Sequence, residues 1–256
     1  MIFLNKFMLF TLISMFTAAA YGAPDSLPVF VSLGRNCETA ICLSQLNLRN
    51  SAFPFDWMST PSFDGICRII ESNFIDFLNP TFLKHNGISV LNTLYNVNFR
   101  HDFPTNSMAA SLNDIADNFV YQGTIVENFL DFLDPVNQKY SRRIDRFLKL
   151  LDGPNKIIFL RTWITPAQAE QFILMMKKHY PAANYLLVVI HGDPTLNFNW
   201  NIVNVESFYA QEKHPTELNA SLGWFHLKEW KKAFGSLGFI PSTKKIVVDK
   251  IYDYLP

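Results

Sequence analysis

Three stretches of the chain are apolar almost without interruption: Val29 to Leu33, "KIIFLRT" at 156–162 and "YLLVVIHG" at 185–192. Runs of this length, without strict alternation, suit strands covered on both faces. Helical patterns separate them. After Gly34 a helix is predicted from about Cys37 to Leu46, with Asn36 as N-cap and Ala40, Leu43 and Leu46 spaced along one face. A second helix runs through "FDGICRIIESNF", after the irregular, proline-bearing "SAFPFDWMSTPSF". A long helical region is expected over Ile125 to Leu151, broken near Asp134-Pro135, and another helix starts after Thr165-Pro166. "NIVNVESF" reads as a further strand and "HLKEWKKAFGSLG" as a helix stopped by glycine. Strands and helices in alternation predict one α/β domain with a mostly parallel or mixed sheet and helices on both faces.

"LYNVNFRHDFP" follows a different rule. It alternates strictly, with Tyr95, Val97, Phe99, His101 and Phe103 on one side and Asn96, Asn98, Arg100 and Asp102 on the other. His101 therefore shares an apolar face, and its neighbour Asp102 points away from it.

The first residues stand apart from this domain. Lys6 precedes an apolar run from Phe7 to Ala20, and Ala20-Tyr21-Gly22 supplies a small-x-small cleavage signal, so residues 1–22 read as a secretory signal peptide and 23–256 as the mature domain. The run is shorter than the roughly 20 residues that span a bilayer, so no stable membrane span is expected after cleavage, and the protein is expected to be secreted or periplasmic. Removal takes away Lys6 alone and leaves a net charge of −1. No basic tract is present to bind phosphates, and nucleic acid is not an expected partner; "SRRIDRFLK", the densest basic stretch, reads as a solvated helix face. No Gly-x-Gly-x-x-Gly or Walker loop follows a strand, and zinc-ligand spacing is absent apart from the weak "HGD" at 191–193, so no cofactor or metal is expected. "NAS" at 219–221 is a formal glycosylation acceptor.

Chemistry concentrates at Cys37. A thiol in the first turn of a helix is favoured as thiolate by the dipole and the free N–H groups, while Glu38 beside it opposes a second negative charge. The turn Gly34-Arg35-Asn36 leaves the first strand at its carboxyl end, where ligands of parallel sheets bind. Among the histidines His101 is the candidate base because its pattern directs it inward. Asp56, in the rigid "PFDW" turn, is the leading carboxylate to orient it; the same turn also suits a purely structural corner in which Trp57 fills the core. The helix N–H groups near Asn36 to Glu38 would stabilise an oxyanion. Export places the cysteines in an oxidising compartment, and their odd number leaves one unpaired. Cys37 and Cys42 lie five steps apart on a helix, about 140° around its axis, so if a disulfide forms it joins Cys42 to Cys67 and leaves Cys37 free; three small buried thiols with no bridge are the equal alternative.

"SLGRNCETAICLSQLNLRNSAFPFDW" resembles the start of a bacterial family described as papain-like cysteine peptidases, with its Ser-Leu-Gly-x-x-Cys, Leu-Arg and Pro-Phe-Asp-Trp blocks. "FRHDFP", "YSRRIDRF" and "IIFLRT" are similar to later blocks of the same family. The resemblance implies a nucleophile at Cys37, a histidine at His101 and a third member at Asp56 or Asp102, acting on a peptide, amide or ester substrate. A second class stays open: a noncatalytic or sugar-modifying protein whose crevice binds a small anionic or carbohydrate ligand through Arg35, Asn36 and Arg161. Arg161 ends a buried strand, where a salt bridge to Asp56 or Asp102 would equally satisfy it.

Overall fold

The computed structural model describes residues 27–106, 123–211, 225 and 227–240. The expected signal segment, His214, His226 and the "NAS" acceptor lie outside them.

Two sheets share the domain. The first is parallel throughout, in the order β1 (Val29–Ser32), β6 (Ile157–Thr162), β7 (Tyr185–His191), β8 (Val205–Tyr209). The second is antiparallel and built of very short strands, in the order β2 (Met58–Ser59), β5 (Val97–Phe99), β4 (Val90–Asn92), β3 (Leu83–His85). The helices are α1 (Glu38–Gln45), α2 (Phe63–Glu71), α3 (Leu133–Leu151), α4 (Pro166–His179) and α5 (Leu227–Ser236).

The parallel sheet is covered on both sides, which explains its unbroken apolar runs: all of β6 is buried. Val31, Leu33, Phe159, Leu187 and Val189 face α2, α3, α4 and the antiparallel sheet. Phe30, Ile158, Leu160, Val188 and Ile190 face α1 and α5, where Cys42, Leu43, Trp230 and Phe234 meet them. The mixed α/β architecture expected from the sequence is the one observed.

Side-chain caps fix the starts of α4 and α2. Thr165 and Gln168 form a capping box at α4, with Pro166 in its first turn, and the Ser62 hydroxyl accepts from the Gly65 N–H at α2. Gly65 also lets α2 pass against the β4–β5 turn, since a Cβ there would lie 2.1 Å from the Tyr95 carbonyl oxygen.

Several expectations differ from the structure. α3 begins at Leu133, after a 3-10 turn over Phe129–Phe132. Pro135 thus sits in the first helical turn, where its missing N–H has no intrahelical partner to lose. β8 starts at Val205, and β5 stops at Phe99, so Arg100 to Phe103 bend instead of continuing the strand. None of the three cysteines is in a disulfide. The expected Cys42–Cys67 bridge is excluded because Cys42 packs on the α1–α5 face and Cys67 on the opposite one, with the parallel sheet between them.

Candidate active site

The site begins where β1 ends. Gly34 and Arg35 both adopt left-handed backbone conformations, with φ of 79° and 72°. Every backbone polar group of these two residues is bound. The Gly34 N–H donates to Ser32 Oγ (3.1 Å) and the Thr39 hydroxyl reaches the Gly34 carbonyl (3.4 Å). The Arg35 N–H donates to Thr60 Oγ1 (2.6 Å), and its carbonyl accepts from the Thr60 N–H (2.9 Å). Only glycine fits at 34, where a Cβ would lie 2.6 Å from Thr60 Oγ1. The chain then enters α1, with Asn36 Oδ1 accepting from the Glu38 N–H at 2.9 Å. The N-cap position of α1 falls on Cys37, one residue beyond the expected Asn36, and carries no side-chain cap bond; the Asn36 side chain nevertheless occupies the Glu38 N–H and withdraws it from the expected oxyanion donors.

Cys37 is half-buried at this helix start. Burial first, and the Glu38 carboxylate after it, push its thiol up to about 11, against the pull of its own backbone N–H and of Arg100. The dipole argument for a ready thiolate is outweighed by desolvation. Glu38 does more than oppose charge: fully buried, its Oε1 accepts from the Phe225 N–H (2.6 Å) and from Trp230 Nε1 (3.3 Å), tying the α5 segment to the cysteine helix.

His101 lies on the bend beyond β5. Its ring meets Trp57 edge-on at 6.2 Å between centroids. Trp57 arrives from the other side of the β2–β5 ladder, in which Met58 pairs with Phe99. Burial lowers the imidazole to about 4, with Arg100 and Lys139 acting in the same direction and Asp102 opposing them. Arg100 therefore acts electrostatically on both Cys37 and His101. In the sequence Arg100 is marked only by its place beside the candidate histidine.

The two candidate carboxylates are held by cations. Asp56 Oδ2 accepts from Arg49 Nη2 (2.7 Å), Arg49 Nε (3.2 Å) and the Phe53 N–H (2.9 Å). Asp102 pairs through Oδ1 with Lys139 Nζ (2.6 Å) and accepts through Oδ2 from the Tyr140 hydroxyl (2.9 Å). Arg49 also lies 5.7 Å over the Trp57 ring, so the "PFDW" corner supports the wall against which His101 packs.

Arg161 makes neither of the expected salt bridges. Its Nη1 donates to the Leu33 carbonyl (2.8 Å) and Thr60 Oγ1 (2.5 Å), and its Nη2 to the Thr60 carbonyl (2.6 Å). Among the described residues no carboxylate pairs with it, and burial, reinforced by Arg35, lowers the guanidinium to about 9. Arg35 lies 4.7 Å over the Trp163 ring, which stacks on Phe225 at 5.7 Å. His191 sits at the end of β7, with Nδ1 3.2 Å from the Asp193 carbonyl and its ring stacked on Trp200. β6 separates β7 from β1, a lateral step of roughly 9–10 Å at the strand spacing, which makes His191 a poorer partner for Cys37. Among the described residues no cluster of histidine, cysteine and carboxylate side chains could hold a metal, and no helix is long and apolar enough to cross a membrane.

A family profile described as "Putative papain-like cysteine peptidase" matches residues 28–207, from the start of the parallel sheet into its last strand. The chain belongs to this family. The peptidase-like match contains Cys37, Asp56, His101 and Asp102 and ends before α5. An uncharacterized protein of Acanthamoeba polyphaga mimivirus is 26% identical over 224 residues, covering 77% of this chain and 92% of its own. No solved structure matches.

Proposed function

We propose that this papain-like family member is a cysteine-dependent hydrolase of peptide, amide or ester bonds, with Cys37 as nucleophile and His101 as base. The observation that carries the reading is the thiol at the start of α1, on the carboxyl edge of β1, within a stretch that matches the peptidase-like family and also holds His101. The resting centre keeps its proton on sulfur, because the thiol is raised and the imidazole lowered. Attack and proton transfer are then coupled: Sγ bonds to the substrate carbonyl carbon as its proton passes to His101. The imidazolium returns that proton to the leaving amine or alcohol as the tetrahedral intermediate collapses to a thioester. Water, deprotonated by His101, hydrolyses the thioester and restores the thiol. Asp102 stabilises the imidazolium through its charge, and Asp56 secures the Trp57 wall. We also propose export, with residues 1–22 removed.

A second reading, a crevice for an anionic or carbohydrate ligand, is favoured by one observation: two cations, Arg35 and Arg161, come together where β1 ends, with Arg35 over the Trp163 ring. A cysteine-directed electrophile separates the two. Labelling of Cys37 that slows at least tenfold in His101→Ala supports the hydrolase; labelling indifferent to His101 supports the binding crevice.

A further inference from the structure

We propose that Thr60 is a positioning residue of the Cys37 centre: through its hydroxyl and its backbone it clamps the left-handed Gly34-Arg35 turn that sets Cys37 at the head of α1. Two successive left-handed residues are an unfavoured way to leave a strand, and Arg35, unlike Gly34, carries a Cβ that resists the conformation. A restraint is needed, and Thr60 supplies it from both sides of the residue, taking the Arg35 N–H on Oγ1 at 2.6 Å and giving its own N–H to the Arg35 carbonyl at 2.9 Å.

Thr60 is fixed in turn. It is fully buried, and Arg161 grips its hydroxyl (2.5 Å) and its carbonyl (2.6 Å) while also holding the Leu33 carbonyl (2.8 Å). The end of β1, the end of β6 and the residue following β2 are thus joined at one hydroxyl oxygen. This joint accounts for a buried arginine bonded to neutral oxygens: its forked donors fit two acceptors on one residue and a third on the neighbouring strand. The joint also links the sheet that carries Cys37 to the ladder from which Trp57 and His101 emerge.

The inference rests on Cys37 as nucleophile only for its purpose, and its test reads the thiol itself. The rate of Cys37 alkylation by iodoacetamide is followed against pH in wild type, Thr60→Val and Thr60→Ser, with Cys42 and Cys67 replaced by alanine. Glu38 and Arg100 are the charges acting on this thiol, and both remain in every variant. Burial, with the Glu38 charge beside it, sets the expected wild-type midpoint near 11. Thr60→Val, equal in size but without the hydroxyl, releases the turn and exposes the thiol. Its midpoint falls by about one pH unit and alkylation at pH 8 rises about tenfold. Thr60→Ser keeps the hydroxyl and the wild-type profile. A folded Thr60→Val protein with the wild-type midpoint overturns the proposal, even if its Tm has dropped, because Thr60 would then be structural only. Should Thr60→Val not fold, Arg161→Lys, which keeps the charge and loses the fork, is read by the same criteria. A shifted midpoint in a protein that hydrolyses nothing would uphold the positioning role while removing the hydrolase reading.

Discussion

Replacing Arg49 by methionine strips the cation from a carboxylate that is almost wholly enclosed. The two partners' side chains are 6% and 2% exposed and their closest atoms 2.7 Å apart, so solvent cannot take the place of the guanidinium. Removing one member of a buried pair costs about 3–5 kcal/mol. The Phe53 N–H still bonds to Asp56 in the variant, which sets the expectation at the lower end, about 3 kcal/mol, or a fall in Tm of about 6–12 °C for a chain of this size. Adding Asp56→Asn removes the orphaned charge, so the double variant costs less than the two singles together, with a coupling energy of about 2 kcal/mol. A pH dependence accompanies this. Burial already raises the Asp56 carboxyl, and Arg49 is the largest opposing influence. Without Arg49 the carboxyl rises further, so the folded state binds its proton more tightly than the unfolded chain, whose carboxyl titrates near about 3.9. Stability from that proton is present at low pH and is lost as pH rises through the folded value. The Arg49→Met penalty is therefore expected to be larger at pH 7 than at pH 4.5. Urea unfolding of the four proteins at both pH values measures each quantity. Additive single penalties, or a penalty unchanged by pH, would refute the account of this pair.

Other consequences follow from the same geometry. Because His101 is lowered to about 4, the acid limb of the kcat/KM profile is expected near pH 4, and a limb at pH 6 to 7 that vanishes in His101→Gln would contradict this. Glu38→Gln removes a charge that raises the Cys37 thiol and weakens the hold on Phe225 and Trp230; alkylation at pH 8 should quicken while Tm drops, and an unchanged rate would count against it. Alkylation of unreduced, unfolded protein should modify Cys37, Cys42 and Cys67 alike, and a protected Cys42–Cys67 pair would contradict the placement of these residues on opposite faces of the sheet. Protein recovered from the export compartment should begin near Ala23, and a soluble form retaining Met1 there would dismiss the leader.

The parallel sheet was legible because burial on both faces leaves a mark along the chain, as in Ile157 to Thr162. The antiparallel sheet was not. Its strands are two or three residues long, too short to display a period, and Met58–Ser59 sits among prolines that signal a loop. The alternation from Tyr95 to Phe103 marked burial more faithfully than strand: Tyr95, Val97, Phe99 and Phe103 are buried, yet the ladder ends at Phe99. Gly34 and the thiol after it were readable as a presented turn, since strand, glycine and helix occur in immediate succession. The carboxylates were harder. Asp56 and Asp102 could be named, but their cations Arg49 and Lys139 lie 7 and 37 residues away, and nothing local marks such pairs. Thr60 was invisible for the same reason, being an ordinary loop residue until Arg35 and Arg161 close on it.

Acyl transfer to Cys37 is the measurement closest to the central claim. The full chain is incubated with a p-nitrophenyl ester and with a peptide mixture, quenched in acid, and analysed by intact mass and peptide mapping. The account predicts an acyl group on Cys37 that disappears with turnover, no turnover in Cys37→Ala, and a loss of roughly 10²–10⁴ in rate in His101→Ala. Turnover that survives Cys37→Ala, or an acyl group found on Cys42 or Cys67 instead, would contradict it.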